Sequence, residues 1–288
     1  MTPISLDAPA KLNLSLRVVG HRPDGYHLLE TNMVLLELAD RLLLMPGAGG
    51  LRVEAADDEA IPLGPENLAW RGLVAGFGHE PGLGLLALEK RIPAAAGLGG
   101  GSSDAAAGWR LGRRAAAMPE APSGADLASL SLLGADVPFF AAMTPSAAVS
   151  GIGEVVVPVS MPSAACAVLA VPPFRLSTAA VFAELRPSDL DDDRESANDL
   201  LAPALRLRPE LGDLLRAVAA AGGEPRLSGS GSTIFTLSDD PERCAAIASR
   251  LRQGPLRVIE TRLRSEPAEI VELGEPPDDA GVPLPSMG

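Results

Sequence analysis

The sequence has few cysteines and no long apolar run, and both shortages exclude classes of protein. The cysteines, Cys166 and Cys244, cannot build a disulfide framework, and they lack metal-ligand spacing. Both lie in apolar runs, which predicts buried small side chains without a redox role. No stretch approaches the roughly 18 apolar residues of a membrane span, and the N-terminus lacks the pattern of a secretory signal. We therefore expect a cytoplasmic globular protein.

Basic residues are scarce relative to acidic ones. The formal net charge is -13 at pH 7, and binding to nucleic acid or to an anionic membrane needs a basic surface. We therefore expect neither partner, and the sequence indicates no oligomeric state. Lysine is rarest of all, because Lys11 and Lys90 are the only two and arginine takes every other basic position. We therefore expect each lysine to occupy a place where a planar guanidinium does not fit, with chance as the alternative.

Length and hydrophobic patterning predict an α+β fold of two domains. The chain has 288 residues, of which 47% are hydrophobic, enough for two buried cores. Alternation in LNLSLRVVG predicts a strand, and PELGDLLRAVAAAG has the spacing of an amphipathic helix. A fresh apolar strand, ACAVLAVPP, follows the segment SGIGEVVVPVSMP. We therefore predict an N-terminal domain over residues 1–155, a C-terminal domain over 156–274 and a disordered tail over 275–288.

A glycine-rich turn, GLGGGSSDAAA from Gly97, follows an apolar strand and precedes a helix expected from about Ser103. Glycines let backbone N–H groups crowd round a ligand, and the first turn of a helix carries unpaired donors and the positive end of the peptide dipole. The segment therefore predicts an anion site. It is not a Walker A loop, since the chain has no Gly-Lys pair, and Ser102 replaces the third glycine of a dinucleotide fingerprint. Close helix packing remains an alternative reason for the glycines.

Three segments in order resemble the motifs of the GHMP kinases: PAKLNLSL from Pro9, KRIPAAAGLGGGSSDAAA from Lys90 and RLSGSGSTIF from Arg226. The resemblance spans nearly the whole chain. It implies an ATP-dependent small-molecule kinase of α+β fold, with its active site in the cleft between two domains. The forms GYHLLET, GLGGGSSDAA and LGADVPFF are similar to the branch that phosphorylates the 2-hydroxyl of a cytidine-linked substrate in isoprenoid biosynthesis. A kinase of homoserine or mevalonate type and a nucleotide-binding module without activity are the alternatives.

The resemblance also implies roles for individual residues. Lys11 and Asp136 would be the catalytic pair, with Asp136 either taking the proton of the hydroxyl or orienting it. ATP, with Mg²⁺ as the expected cation, would be bound by Gly97, Leu98, Gly99, Gly100, Gly101, Ser102, Ser103, Asn67 and Lys90. The substrate would be bound by Asn13, Tyr26, His27, Thr178, Phe182, Gly229, Ser230 and Gly231. In this arrangement the rings of Tyr26 and Phe182 would lie on opposite faces of cytosine.

Most of these residues also have an ordinary structural role open to them. Asn67 and Asp136 are good helix-capping residues, Lys11 could be an exposed strand lysine, and Tyr26 and Phe182 could be core residues. The chain departs from the family pattern in MTPSA, residues 143–147, where a Gly-Gly-x-Ala turn is usual. It departs again in WRLGRRAAAMPEAP, which follows the glycine-rich turn. Both departures affect the expected packing more than the chemistry.

Overall fold

The structure is a computed structural model, and it describes residues 2–47, 49–55, 61–79, 84–190, 197–254 and 256–274. The tail predicted to be disordered, residues 275–288, lies outside these ranges. Among the described residues, no helix has both the length and the apolar character needed to cross a membrane.

The strands form two sheets, in which every strand pair is antiparallel except β3 with β4. The first sheet contains β1 (Ile4–His21), β2 (His27–Met45), β3 (Gly50–Ala55), β4 (Leu85–Lys90), β5 (Ser146–Gly151), β6 (Val155–Pro158) and β11 (Val271–Glu272). The second contains β7 (Cys166–Val171), β8 (Arg226–Leu227), β9 (Ile234–Ser238) and β10 (Arg257–Arg262). The long hairpin of β1 and β2 is the centre of the first sheet.

Helices cover both sheets, so the α+β prediction is confirmed. The α-helices are α1 (Leu68–Phe77), α2 (Gly100–Ala115), α3 (Gly124–Leu130), α4 (Val137–Ala141), α5 (Thr178–Ala183), α6 (Leu201–Leu207), α7 (Glu210–Ala220) and α8 (Pro241–Leu251). Apolar side chains of α1 and α2 pack on the first sheet, and those of α5 to α8 pack on the second.

The two sheets share an apolar layer. Leu12 and Leu36 of the first sheet pack with Leu169 and Phe235 of the second. The domain boundary near residue 155 stays a prediction, and the strands show that the chain crosses between the two halves more than once. Both β6 and β11 join the first sheet, so the last described strand returns to the N-terminal half.

The two cysteines form a disulfide, which corrects the expectation of separate buried side chains. Cys166 begins β7 and Cys244 lies in α8, and the structure bonds their sulfur atoms. Both residues are buried, as expected. Because α8 packs across β7, the two Cα atoms come within 6.5 Å of each other, a separation that a disulfide spans. Sequence spacing could not show this packing.

Glycines allow α1 and α2 to pack with their backbones in contact. A Cβ on Gly72 of α1 would stand 1.9 Å from the carbonyl oxygen of Ala105, and one on Gly108 of α2 would stand 2.2 Å from that of Ala69. No side chain fits at such distances, so the pairing of the two helices depends on these glycines. The contact fixes α2 along its length.

A buried ion cluster fixes the first turn of α2 to the first sheet. At the end of β4, Lys90 donates to the carboxylate of Asp104 in α2, at 2.7 Å, and to that of Asp40 in β2. Asp40 also accepts from the backbone amides of Arg91, at 2.5 Å, and Ile92, at 2.8 Å. All three charged side chains of the cluster are buried. The cluster therefore joins two strands and a helix through one ammonium group.

The two carboxyl groups of this cluster differ in their hydrogen bonds. Burial raises the pKa of Asp104 to about 8, an effect that Lys90 opposes and Asp40 reinforces. One oxygen of Asp104 has no hydrogen-bond partner among the described residues, whereas Asp40 accepts from three donors. Asp104 therefore keeps its proton at neutral pH.

We predict that Asp104→Asn and Asp40→Asn differ sharply in stability at pH 7. The first replaces a neutral carboxyl group by an amide of the same shape. Folding of the wild type at pH 7 requires protonation of Asp104, an unfavourable step that the amide avoids, so the free energy of unfolding of Asp104→Asn should equal or exceed that of the wild type. The second leaves Lys90 buried without an ionised partner, so it should cost about 3–5 kcal/mol. Urea unfolding of the two variants and the wild type measures the difference.

The difference in stability between the wild type and Asp104→Asn should depend on pH, and the raised pKa of Asp104 fixes the direction. Folded Asp104 keeps its proton up to about pH 8, whereas the carboxyl group of the unfolded chain loses it near pH 3.8. The folded state thus binds the extra proton between these values, and wild-type stability falls with rising pH relative to Asp104→Asn. Equal losses for Asp104→Asn and Asp40→Asn would contradict the assignment.

Candidate active site

A cavity of about 620 Å³ lies where the two halves of the molecule meet, and it brings most of the predicted site residues together. Its walls include Lys11, Asn13, Asn67, Lys90, Gly97, Leu98, Gly99, Gly100, Gly101, Ser102, Asp136, Thr178, Phe182, Gly229 and Ser230. Four predicted site residues do not line it: Tyr26, His27, Ser103 and Gly231. The predicted cleft between two halves is thus present.

The helix after the glycine-rich turn begins at Gly100, three residues before the expected start at Ser103. Gly99 makes this possible, because its φ of 74° is left-handed and turns the chain directly into α2 without a side-chain cap. The amides of Gly100, Gly101 and Ser102 therefore have no acceptor within the helix. These three residues line the cavity, so the donors of the predicted anion site lie at its wall.

Ser103 has a different environment from its neighbours in the turn. Its amide donates to the carbonyl of Gly99 at 2.9 Å, so it already belongs to the helix. Its side chain faces a small separate cavity next to Leu6 and Ala106. The structure therefore does not bring Ser103 to the large cavity, and a role for it in ATP binding stays a prediction.

The two glycine-rich turns of the sequence contact each other. Gly97 has a φ of 78°, and a Cβ there would stand 2.3 Å from the carbonyl oxygen of Ser228. The hydroxyl of Ser228 donates to the carbonyl of Gly97 at 2.9 Å, and the amide of Thr233 donates to that of Ala96 at 3.1 Å. The turn before β9 is therefore fixed directly on the turn before α2.

Lys11 and Asp136 form an ion pair at the cavity wall. The Nζ atom of Lys11 lies 3.3 Å from Oδ2 of Asp136 and donates to Oδ1 of Asn13 at 2.5 Å. The Lys11 side chain is only 4% exposed, so the alternative of an exposed strand lysine is wrong. Asp136 occupies the N-cap position of α4, but its side chain makes no capping bond. Its carboxylate is therefore available to a ligand, next to the ammonium group of Lys11.

Asn67 and Lys90 are already engaged by protein groups. Asn67 caps α1, because its side chain accepts from the amide of Ala69 at 2.9 Å and donates to the carbonyl of Pro62 at 2.7 Å. Lys90 is paired with two carboxyl groups, and a Cβ on Gly100 would stand 3.3 Å from its Nζ. Both side chains are thus bonded to protein groups at the cavity wall. Direct contact with ATP stays a prediction for each.

The residues predicted to bind the substrate include a stacked pair of rings, an exposed tyrosine and a pair of neighbouring hydroxyl groups. The ring of Phe182 stacks on that of His27 with centroids 4.9 Å apart, and burial, together with His21, lowers the pKa of His27. Tyr26 lies in the turn between β1 and β2 and is 58% exposed, so it is not a core residue. The hydroxyls of Thr178 and Ser230 lie 2.9 Å apart. The roles of these residues in substrate binding stay predictions.

Several residues that shape the site were not identified from the sequence. They are Asp40 and Asp104, which hold Lys90, Ser228, which joins the two turns, and Thr31, which lines the cavity. An acidic residue inside the apolar run TNMVLLELADRLLLM is a signal for Asp40, since a buried carboxylate needs a partner. No comparable signal marks Thr31.

Comparison with known proteins agrees with this geometry. The family model described as GHMP kinases N terminal domain matches residues 67–142, and GHMP kinases C terminal matches residues 182–255. A 4-diphosphocytidyl-2-C-methyl-D-erythritol kinase from Dinoroseobacter shibae is 40% identical over 277 residues, covering 86% of this chain and 90% of the relative. One from Thermus thermophilus is 39% identical over 264 residues, covering 85% of this chain and 91% of the relative.

Solved structures show the same relationship. A crystal structure of 4-(cytidine 5'-diphospho)-2C-methyl-D-erythritol kinase has a TM-score of 0.73 at 36% identity, covering 90% of this chain and 98% of that one. A homoserine kinase from Cytophaga hutchinsonii has a TM-score of 0.68 at 16% identity, covering 94% of this chain and 98% of that one, which shows the shared fold alone. The chain belongs to the GHMP kinases and, among them, to the 4-diphosphocytidyl-2-C-methyl-D-erythritol kinases.

Proposed function

We propose that this ATP-dependent kinase phosphorylates the 2-hydroxyl of 4-diphosphocytidyl-2-C-methyl-D-erythritol, a step of the non-mevalonate route to isoprenoid precursors. The observation that carries the proposal is the Lys11–Asp136 pair, which opens on the same cavity as the first turn of α2. The proposed compartment is the cytoplasm, where ATP is supplied. Neither cysteine lines the cavity, so the site does not depend on their oxidation state.

Phosphate binding would rest on backbone donors. The amides of Gly100, Gly101 and Ser102 are the unpaired donors of α2, and the positive end of the helix dipole lies with them. Lys90 is largely neutralised by its two partners, so it adds little free positive charge. The ATP phosphates would therefore be held mainly by amides aimed along the helix axis.

Proton removal would fall to Asp136. Phosphoryl transfer to an alcohol needs a positioned hydroxyl, an acceptor for its proton and cations that offset the charge of the transferring group. The Asp136 carboxylate accepts the proton or orients the hydroxyl, and the ammonium group of Lys11 lies 3.3 Å from it. The same ammonium group polarises the attacking oxygen.

The oxygen donors at the cavity also fit Mg²⁺. The Ser102 hydroxyl and the Asp136 carboxylate both belong to residues of the cavity wall. No group of three or more His, Cys, Asp or Glu side chains suited to a metal occurs in the described part of the chain. Mg²⁺ needs none, because phosphate oxygens and water fill most of its octahedral shell. We propose that Ser102 and Asp136 hold the ion, which when bound offsets charge on the β- and γ-phosphates.

The proposed choice of substrate is tested by assaying three alcohols separately. Purified protein is given ATP with 4-diphosphocytidyl-2-C-methyl-D-erythritol, homoserine or mevalonate, and ADP release is followed. We expect turnover with the cytidine-linked substrate at a kcat/KM at least about 100-fold above that of the other two, since a site built for a base rejects ligands that lack one. Preference for homoserine or mevalonate would replace the proposal, and ATP binding without turnover of any alcohol would favour a nucleotide-binding module.

We predict that Asp136→Ala lowers kcat by at least about 100-fold, as expected for loss of a general base, with little change in affinity for ATP. Steady-state kinetics measure the first effect, and titration of ATP without Mg²⁺ measures the second, because Asp136 is also a proposed ligand of that ion. Asp239→Ala is the control, because Asp239 is an exposed aspartate that does not line the cavity. Asp136→Ala retaining more than about a tenth of wild-type kcat would remove this residue from the role of base.

We predict that Tyr26→Ala weakens binding of the cytidine substrate by about 1–3 kcal/mol, the usual contribution of one base–aromatic stack. Tyr26→Phe should lose much less, because the ring face remains. ATP binding should hardly change in either variant, since the turn before α2 uses backbone donors. Calorimetric titration of both ligands into both variants measures this, and equal weakening of ATP and substrate would mean that Tyr26 supports the fold instead.

A further inference from the structure

Thr31 of β2 has a buried hydroxyl at the cavity wall, and none of the roles above uses it. The residue is 5% exposed and its side chain makes two hydrogen bonds within the protein. The hydroxyl lies 2.5 Å from the carbonyl oxygen of Ser15 and 2.8 Å from Nδ2 of Asn13. Both partners belong to β1, so the contacts link the two central strands of the first sheet.

Proton counting fixes the direction of both hydrogen bonds. A hydroxyl has one proton, and the carbonyl of Ser15 can only accept. The Thr31 proton is therefore committed to Ser15, and its oxygen must accept from Asn13. Asn13 then has to present its NH₂ group to Thr31, which leaves its carbonyl oxygen facing the opposite way.

The opposite side of the Asn13 amide faces Lys11. Its Oδ1 accepts from Nζ of Lys11 at 2.5 Å, and both side chains are buried. A reversed amide would aim its NH₂ group at the ammonium and would lose both hydrogen bonds. The Thr31 hydroxyl thus selects the one amide orientation that holds Lys11, which in turn lies 3.3 Å from Asp136.

The register of the hairpin explains why Thr31 can reach Asn13. The pairing of β1 with β2 shifts between Asn13 and Ser15, so that Thr31 is opposite Leu16 while Asn13 is opposite Met33. Thr31 is therefore a diagonal neighbour of Asn13, within reach of its amide.

We propose that Thr31 is a positioning residue for phosphoryl transfer, acting through Asn13 to fix the ammonium group of Lys11 beside Asp136. The inference rests on the proposed function of the Lys11–Asp136 pair. It concerns placement of the reacting groups, so loss of the hydroxyl should lower kcat and leave ATP binding unchanged. A misplacement of about 1 Å can cost on the order of 100-fold in rate.

The kinetic test compares three variants with the wild type. Thr31→Val keeps the shape of the side chain and removes the hydroxyl, so kcat should fall at least about tenfold with KM for ATP changed less than about twofold. Thr31→Ser keeps the hydroxyl and should restore at least about a third of wild-type kcat. The control is Thr144→Val, because Thr144 is also buried and donates to a backbone carbonyl, that of Ser146 at 2.9 Å, outside the cavity. It should keep wild-type kcat.

A second readout does not depend on catalysis. Because Lys11 and Lys90 are the only lysines, protein made with ¹³Cε-labelled lysine gives two side-chain NMR signals, and Lys11→Arg assigns them. Thr31→Val should shift the Lys11 signal and leave that of Lys90 in place, which also shows that the variant is folded. Thr31→Ala carries the same expectation if the valine variant does not fold.

The outcomes separate this inference from the proposed function. A Thr31→Val kcat within twofold of wild type, or an unmoved Lys11 signal, would overturn it. A kcat loss that Thr31→Ser fails to restore, or one that Thr144→Val shares, would overturn it as well. Failure of the wild type to phosphorylate the cytidine substrate would instead remove the proposed function, while the NMR signals would still test the link from Thr31 to Lys11.

Discussion

The position of the α2 N-terminus depends on a single buried ammonium group. Lys90 joins β4 to β2 through Asp40 and to α2 through Asp104, and the amide donors of the cavity begin four residues before Asp104. Displacing this cluster would move those donors, because a helix transmits a shift of its first turn as a rigid unit. The glycine contacts with α1 then fix the rest of α2. The turn predicted to bind an anion is thus fixed by the ion cluster at its base and by close helix packing along α2.

The second half of the molecule contributes to the site through hydrogen bonds to the turn before α2. Ser228 and Thr233 donate to the carbonyls of Gly97 and Ala96, and Gly229 lies so close to Lys11 that a Cβ there would stand 3.1 Å from Nζ. Neither half of the molecule completes the site alone. Lys11 and the amides of α2 belong to the half that contains the first sheet, whereas the turn before β9, which covers them, belongs to the half that contains the second sheet. The site therefore exists only when both cores are folded and the apolar layer between the sheets has formed.

The sequence could predict features whose cause is local. The alternation of LNLSLRVVG specifies a strand, and glycines before a helix specify amide donors for an anion, whatever surrounds them. It could not predict that α2 begins at Gly100, because that depends on the left-handed turn of Gly99 packed beside Phe140 and Lys11. Nor could it pair Cys166 with Cys244, or Lys90 with Asp40, since these contacts depend on how distant elements pack and on strand register. The hydrogen bonds of Thr31 depend on a shift in the pairing of β1 with β2. No pattern of residue types in the sequence indicates that shift.

The same contacts explain why this arginine-rich chain keeps two lysines. Lys90 bridges two carboxyl groups beneath Gly100, and Lys11 contacts Asn13 and Asp136 beneath Gly229. Each lysine donates in several directions from a compact charge, which suits these places better than the fixed planar fork of a guanidinium. Because both lysines are paired with carboxyl groups, the unpaired amides and the dipole of α2 are the proposed attraction for an anion. Short-range amide donors are therefore the proposed means by which a protein of net charge -13 binds polyphosphates, and they need no basic surface of the kind that attracts nucleic acid.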